Sequence, residues 1–128
     1  LRGVSPAIVA LFSMEGKLEV FKMKEKCIDM IQYGYIALQQ FPKSEKFTLA
    51  ADIKRYMYSL LENIVKLANL RDKKRILKNI DICLEMLKTF IRLARDLKFL
   101  SIKKYEIISR HIVELGKMNG GYWKSLKG

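Results

Sequence analysis

The 128-residue sequence holds little of what breaks helices. It has two prolines, Pro6 and Pro42, and past Met14 its glycines are Gly16, Gly34, Gly116, Gly120, Gly121 and Gly128. With so few of either residue, long stretches are free to keep their intrahelical hydrogen bonds. Histidine occurs once, at His111, and cysteine twice, at Cys27 and Cys83. These are too few ligands for a zinc site, so no metal is expected. The cysteines lie 56 positions apart among apolar residues and are expected to be buried, reduced thiols. Long hydrophobic runs are missing too. Ala7–Phe12, six residues, is the longest near the N-terminus. That is far below the ~20 needed to cross a bilayer, and no basic flank or cleavage site of the secretory kind accompanies it. The expected compartment is the cytosol, with no membrane partner.

Catalytic signatures are equally scarce. There is no phosphate-cradling GxxxxGK[ST] and no GxGxxG behind a strand. His111, in "SRHIVE", has no serine or aspartate pattern around it, and the acidic residues stand singly among basic ones. Neither a nucleophile with its base nor a carboxylate pair stands out. The chain is expected to be non-enzymatic and to carry no cofactor.

What the chain does have is helical periodicity and positive charge. Half its residues are hydrophobic and 30% are charged, a globular mixture sized for one domain. Residues 1–13 look foreign to the rest because Met14 makes a plausible start. They are read as an N-terminal extension or expression remnant, helical from Pro6, with residues 14–128 as the domain. A first helix is expected over Leu18–Gln40, with Ile28, Ile31, Tyr35 and Leu38 on its inner face. "FPKSE" stops it, since Pro42 disfavours helical geometry at Phe41. Ser44 then caps a second helix, Glu45–Ala68, with Ala50, Ile53, Met57, Leu60, Ile64 and Leu67 in one stripe. Asn69 stops that helix and Asp72 caps a third, Lys73–Lys98, striped by Ile76, Ile80, Cys83, Leu87, Phe90, Ala94 and Leu97. Ser101 caps a fourth, whose inner residues are Tyr105, Ile108, Ile112 and Leu115.

Four amphipathic helices on very short connections predict an all-α fold, an antiparallel up-down-up-down four-helix bundle. Tyr33, Tyr56, Tyr58, Leu61, Met86, Ile91 and Leu93 fall beside or outside the inner stripes. Either the stripes are simply wide or a second face is buried in an oligomer, and the pattern suits both.

Net charge is +12 and lopsided: residues 1–70 carry 10 Lys/Arg against 7 Asp/Glu, residues 71–128 carry 15 against 6. Such an excess favours a polyanionic partner. On the third helix Arg71, Lys74, Lys78, Asp81, Glu85, Lys88, Arg92 and Arg95 follow three- and four-residue steps and share one side. Asp81 and Glu85 are expected to pair with Lys78 and Lys88, leaving free charge at "LRDKKR" and at Arg92/Arg95. A solvated face is the plain reading of such a run. Its continuation through Lys98, Lys103, Lys104, Arg110, Lys117, Lys124 and Lys127 favours phosphate backbones. No base-reading motif accompanies it, so nucleic-acid binding is expected to have low sequence selectivity.

"LEMLKTFIRLARDLKFLS" (Leu84–Ser101) and "LGKMNGGYWKS" (Leu115–Ser125) resemble the accessory variability determinant proteins of diversity-generating retroelements. "FPKSEKFTLAADIKR" (Phe41–Arg55) resembles the wider four-helix-bundle family that includes proteins encoded in ribosomal-RNA intervening sequences. The resemblance covers Leu18–Lys127. It implies a non-enzymatic bundle assembled as a homopentameric barrel, binding RNA and DNA and associating with the reverse transcriptase of its retroelement during mutagenic copying. It also implies that Lys88, Arg92 and Lys117 occupy places that are usually basic, with lysine as the departure at position 88. The candidate nucleic-acid or polymerase surface is therefore Arg71, Lys74, Lys78, Lys88, Arg92, Arg95 and Lys117. Gly120 and Gly121 are expected to allow unusual backbone angles or close approach, letting Tyr122 and Trp123 dock across the bundle end or an adjoining subunit rather than stack on bases. The alternative function is a stand-alone interaction module of the intervening-sequence type; a membrane-surface protein is a further alternative, disfavoured by the lack of a bulky apolar face on the cationic helices.

Overall fold

A computed structural model describes residue 3 and residues 5–127. Among the described residues there are four α-helices and no strand: α1 (Pro6–Leu38), α2 (Leu49–Asn69), α3 (Lys73–Asp96) and α4 (Ile102–Lys127), with a short 3-10 turn at Lys43–Glu45. Each helix packs on the next and α1 packs on α4, while α1 and α3, like α2 and α4, stand diagonally across the core. Tyr56 meets Phe90 and Ser59 meets Cys83 across α2 and α3; Lys26 meets Glu114 and Tyr33 meets His111 across α1 and α4. Rising numbers on one helix meet falling numbers on its neighbour, so the bundle is antiparallel, up-down-up-down.

The core is built mainly from long, flexible or aliphatic side chains. Met23, Met30, Ile53, Met57, Leu60, Ile64, Leu67, Leu77, Ile80 and Leu87 are shut off from solvent, and unbranched methionine fills the irregular gaps between α1 and α2. The six-residue stripe expected on α2 is entirely buried, as are Ile76, Ile80, Cys83, Leu87 and Ala94 on α3 and Ile108, Ile112 and Leu115 on α4. Phe90 and Tyr105 are half-buried against the core, but Leu97, just past the end of α3, is exposed.

Several expectations need correction. On α1 the inner line is Val20, Met23, Cys27, Met30, Ala37 and Leu38, with Gly34 between; Ile28 and Ile31 lie on the flank and Tyr35 is exposed. This helix is apolar around most of its girth, so spacing alone does not single out the packed side. Its start is Pro6, capped by the Ser5 side chain, which accepts from the Ile8 amide at 3.3 Å. The helix therefore runs unbroken through position 14. Ser44 does not begin α2: the chain makes the 3-10 turn first, and Thr48 precedes α2, its hydroxyl donating to Glu45 at 2.8 Å.

The N-terminal caps of α3 and α4 are the expected ones, and the C-terminus of α3 holds a surprise. Asp72 accepts from the Arg75 amide, and Ser101 from the Lys104 amide at 3.2 Å. At the C-terminus of α3, Lys98 takes φ 65°, with its amide bonded to Arg95 O and the Phe99 amide to Ala94 O, both at 2.9 Å. That is a Schellman ending in which lysine holds the left-handed place glycine usually fills.

The double glycine is the largest difference. α4 does not break there; it continues to Lys127. Gly120 and Gly121 are exposed helical residues, and a Cβ added to either meets nothing within 4 Å. Close approach occurs instead at Gly34, where an added Cβ would lie 2.8 Å from Met57 Sδ. Of the aromatic pair, Tyr122 is buried, facing Gly16 on α1, and Trp123 is half-buried against the core. No helix is long and apolar enough to cross a membrane, among the described residues.

Candidate nucleic-acid interface

α3 presents its cations on the flank beside α4. Two contacts fix that orientation: Asn119 of α4 donates to Leu77 O at 3.2 Å and to Asp81 Oδ1 at 2.8 Å, and the Arg95 guanidinium lies 4.5 Å from the Tyr105 ring centroid. Asn119 is only 1% exposed and its Oδ1 has no partner. It therefore acts as a polar pin, holding the two helices in register with two donated hydrogen bonds.

Along this flank Lys74, Lys78, Lys88 and Arg92 are all exposed. Among the described residues the ion pairs are Lys26–Glu114, Arg55–Asp52, Lys66–Glu62, Arg75–Asp72 and Arg95–Asp96, so these four cations have none. The expected pairing of Asp81 with Lys78 and of Glu85 with Lys88 is absent. Asp81 is turned to Asn119 instead, and Glu85 forms no ion pair. Long side chains lose rotamer entropy on pairing in water, and exposed pairs gain little from it.

Other candidates divide. Arg71 is exposed in the connection between α2 and α3. Arg95 is not free charge: it binds Asp96 through Nε at 3.1 Å and Nη2 at 2.9 Å while stacking on Tyr105. The hydrogen bond to Asp96 is the chief reason its pKa is raised. Within "LRDKKR", Lys73 Nζ donates to Leu67 O at 2.7 Å, satisfying a carbonyl at the end of α2, where a cation is favoured by the helix dipole. Arg75 is taken up by Asp72 at 3.1 Å. The end of the stripe is thus Arg71 and Lys74 alone.

Lys117 sits on a different surface. It lies in α4 rather than in a turn, beside a shallow hollow that also contains Arg110, Val113 and Glu114. With it come three cations of the expected continuation: Lys103, Arg110 and Lys124 are exposed and recur with Lys117 every seven positions. A seven-residue step turns a helix by two rounds less about 20°, so they form one lane roughly 31 Å long. That spacing was present in the sequence as a signal.

The remaining titratable groups serve the fold. His111 stacks on Tyr33 with ring centroids 6.0 Å apart, its Nδ1 buried without a partner. Burial, then the neighbouring Lys26, lowers its pKa. Glu114 is held below the ordinary carboxylate range by its hydrogen bond to Lys26 at 2.8 Å. Burial, aided by Cys83, pushes the Cys27 thiol up to about 12. Among the described residues no three His, Cys, Asp or Glu side chains gather as a metal site.

No curated protein matches the sequence. A protein-family model does: bAvd, described as bAvd-like, over residues 21–126. The chain belongs to the bAvd-like family.

Proposed function

We propose that this member of the bAvd-like family is the non-catalytic accessory protein of a diversity-generating retroelement, binding RNA and DNA through α3 and α4 and associating with the element's reverse transcriptase. The observation that carries the reading is the row of Lys74, Lys78, Lys88 and Arg92, exposed and without ion pairs on a rigid helix. Such a row suits phosphate backbones, because each neutralised phosphate releases condensed counterions. The protein supplies charge and position, and the polymerase supplies the chemistry. It assembles as a homopentamer in the cytosol, which multiplies the cationic surface. Lys117 and its heptad neighbours extend that surface onto α4.

Charge reversal at Lys88 and Arg92 tests this. Binding to RNA in a filter assay and to the reverse transcriptase in a pull-down is expected to weaken, while helical content and the mass from light scattering stay as they are. Unchanged binding to both removes the two residues from the surface.

A second reading has its own support. Phe47 is 84% exposed, and Tyr58 and Val65 are exposed on α2, as in an interaction module of the intervening-sequence type whose partner is a protein. Binding to a partner that is insensitive to salt favours it.

A further inference from the structure

The charges on α3 are spaced as well as gathered. Lys74 and Lys78 recur fourteen residues later as Lys88 and Arg92, and midway between them stand Asp81 and Glu85. All six are exposed, and among the described residues neither acid is neutralised by an ion pair. Fourteen residues at about 1.5 Å each set the two cationic pairs about 21 Å apart on a straight rod.

A single strand running along that rod brings phosphates over Asp81 and Glu85 as well as over the cations. A duplex does not. One turn of B-form duplex occupies about 34 Å of axis. Its two backbones divide that length in the ratio of groove widths, about 12 Å to about 6 Å. The line of contact therefore meets a backbone at intervals of roughly 23 Å and roughly 11 Å. The wide interval matches the separation of the lysine pairs, and the acidic middle then faces the wide groove, where no phosphate lies.

Aromatic stacking, the usual means of holding single strands, is missing from this flank: the ring of Tyr105 is covered by Arg95, and Trp123 is half-buried against the core. From the + + − − + + order we propose that α3 selects double-stranded over single-stranded nucleic acid, lying parallel to the duplex axis and spanning a B-form wide groove, with Lys74/Lys78 on one backbone and Lys88/Arg92 on the other. This rests on the nucleic-acid reading above and specifies its partner.

Fluorescence anisotropy on the full chain, with a 24-nucleotide DNA duplex, an RNA duplex and a single strand of the same length, tests it at several salt concentrations. The DNA duplex is expected to bind tightest, because A-form RNA narrows the major groove that this placement sets opposite Asp81 and Glu85. The decisive variant is Glu85→Lys, at an exposed side chain without an ion pair. It places a cation where only a single strand has phosphate. Single-strand affinity is expected to rise about five-fold at 0.1 M salt, from a slope of about −0.7 per contact, with duplex affinity nearly unchanged. Single strand binding as well as duplex, RNA duplex binding tighter than DNA duplex, or Glu85→Lys raising both affinities equally overturns the proposal while leaving nucleic-acid binding intact. Failure of every probe to bind overturns both.

Discussion

Helices α1 and α2 and helices α3 and α4 contribute to one core, yet their outer sides differ. Both pairs expose apolar side chains, Phe21, Tyr35, Ile36, Tyr58 and Val65 on the first and Ile82, Leu93, Ile102 and Val113 on the second; the second adds the exposed rows Lys74, Lys78, Lys88 and Arg92, and Lys103, Arg110, Lys117 and Lys124. The inner sides are shaped by the same demand for close packing, so the two pairs are nearly interchangeable there. The outer sides are free of that demand, and there the pairs part company. Burial identifies the fold, and the proposed function rests on the arrangement of surface groups.

The largest expected effect sets the two halves directly against each other. Reversing Lys74, Lys78, Lys88 and Arg92 to glutamate is expected to lower nucleic-acid affinity about four-thousandfold at 0.1 M salt and to flatten the log–log salt slope by about 3.6. Reversing the exposed Lys17, Lys22, Lys43 and Lys46 instead changes the formal charge equally. Its expected effect is below about tenfold, since those residues form no continuous row with the flank of α3. Equal losses from both sets make net charge, not placement, the cause.

Glycine gives the next contrast. Gly34→Val forces a branched side chain against Met57 in the α1–α2 seam and is expected to cost about 1–3 kcal/mol in denaturant unfolding. Gly120→Ala enters open space within α4 and is expected to stabilise by about 0.5–1 kcal/mol. If Gly120→Ala destabilises the assembled protein while leaving a dilute monomer more stable, that surface is packed by another copy.

A smaller effect lies at the end of α3. Lys98→Gly relieves a left-handed lysine and is expected to add up to about 1 kcal/mol of stability, read from the shift in unfolding midpoint. The smallest is a pH effect in the seam between α1 and α4. Burial lowers the pKa of His111 in the fold, so the unfolded chain takes up the proton first as pH falls. Stability is therefore highest above the ordinary histidine range and declines through it on acidification. His111→Phe is expected to flatten that part of a thermal-melting profile between pH 7 and pH 5.

The sequence made some of this legible for identifiable reasons. α2 carries one dominant apolar stripe at three- and four-residue spacing, so Ala50, Ile53, Met57, Leu60, Ile64 and Leu67 could be placed in the core by counting. α1 spreads its apolar residues around the axis, and counting picked Ile28, Ile31 and Tyr35 over the buried Met23, Cys27 and Met30. Gly120 and Gly121 looked like a break because glycine is a poor helix former, but a helix already anchored by Leu115, Asn119 and Tyr122 tolerates two. At the candidate interface, the cations on α3 were evident from spacing. Which of them were engaged was not, because Lys73, Arg75 and Arg95 are taken up by partners that depend on side-chain geometry. The cations of the lane from Lys103 to Lys124 were legible as a continuing excess, and their period of seven is what gathers them on one side of α4.

The depth at which Cys27 lies gives the bundle a built-in gauge of its own opening. With no solvent contact and a thiol pushed up to about 12, the sulfur offers an alkylating reagent almost no thiolate while the helices remain together. Labelling there counts the molecules that have come apart, and its rate relative to a free thiol reports how seldom they do.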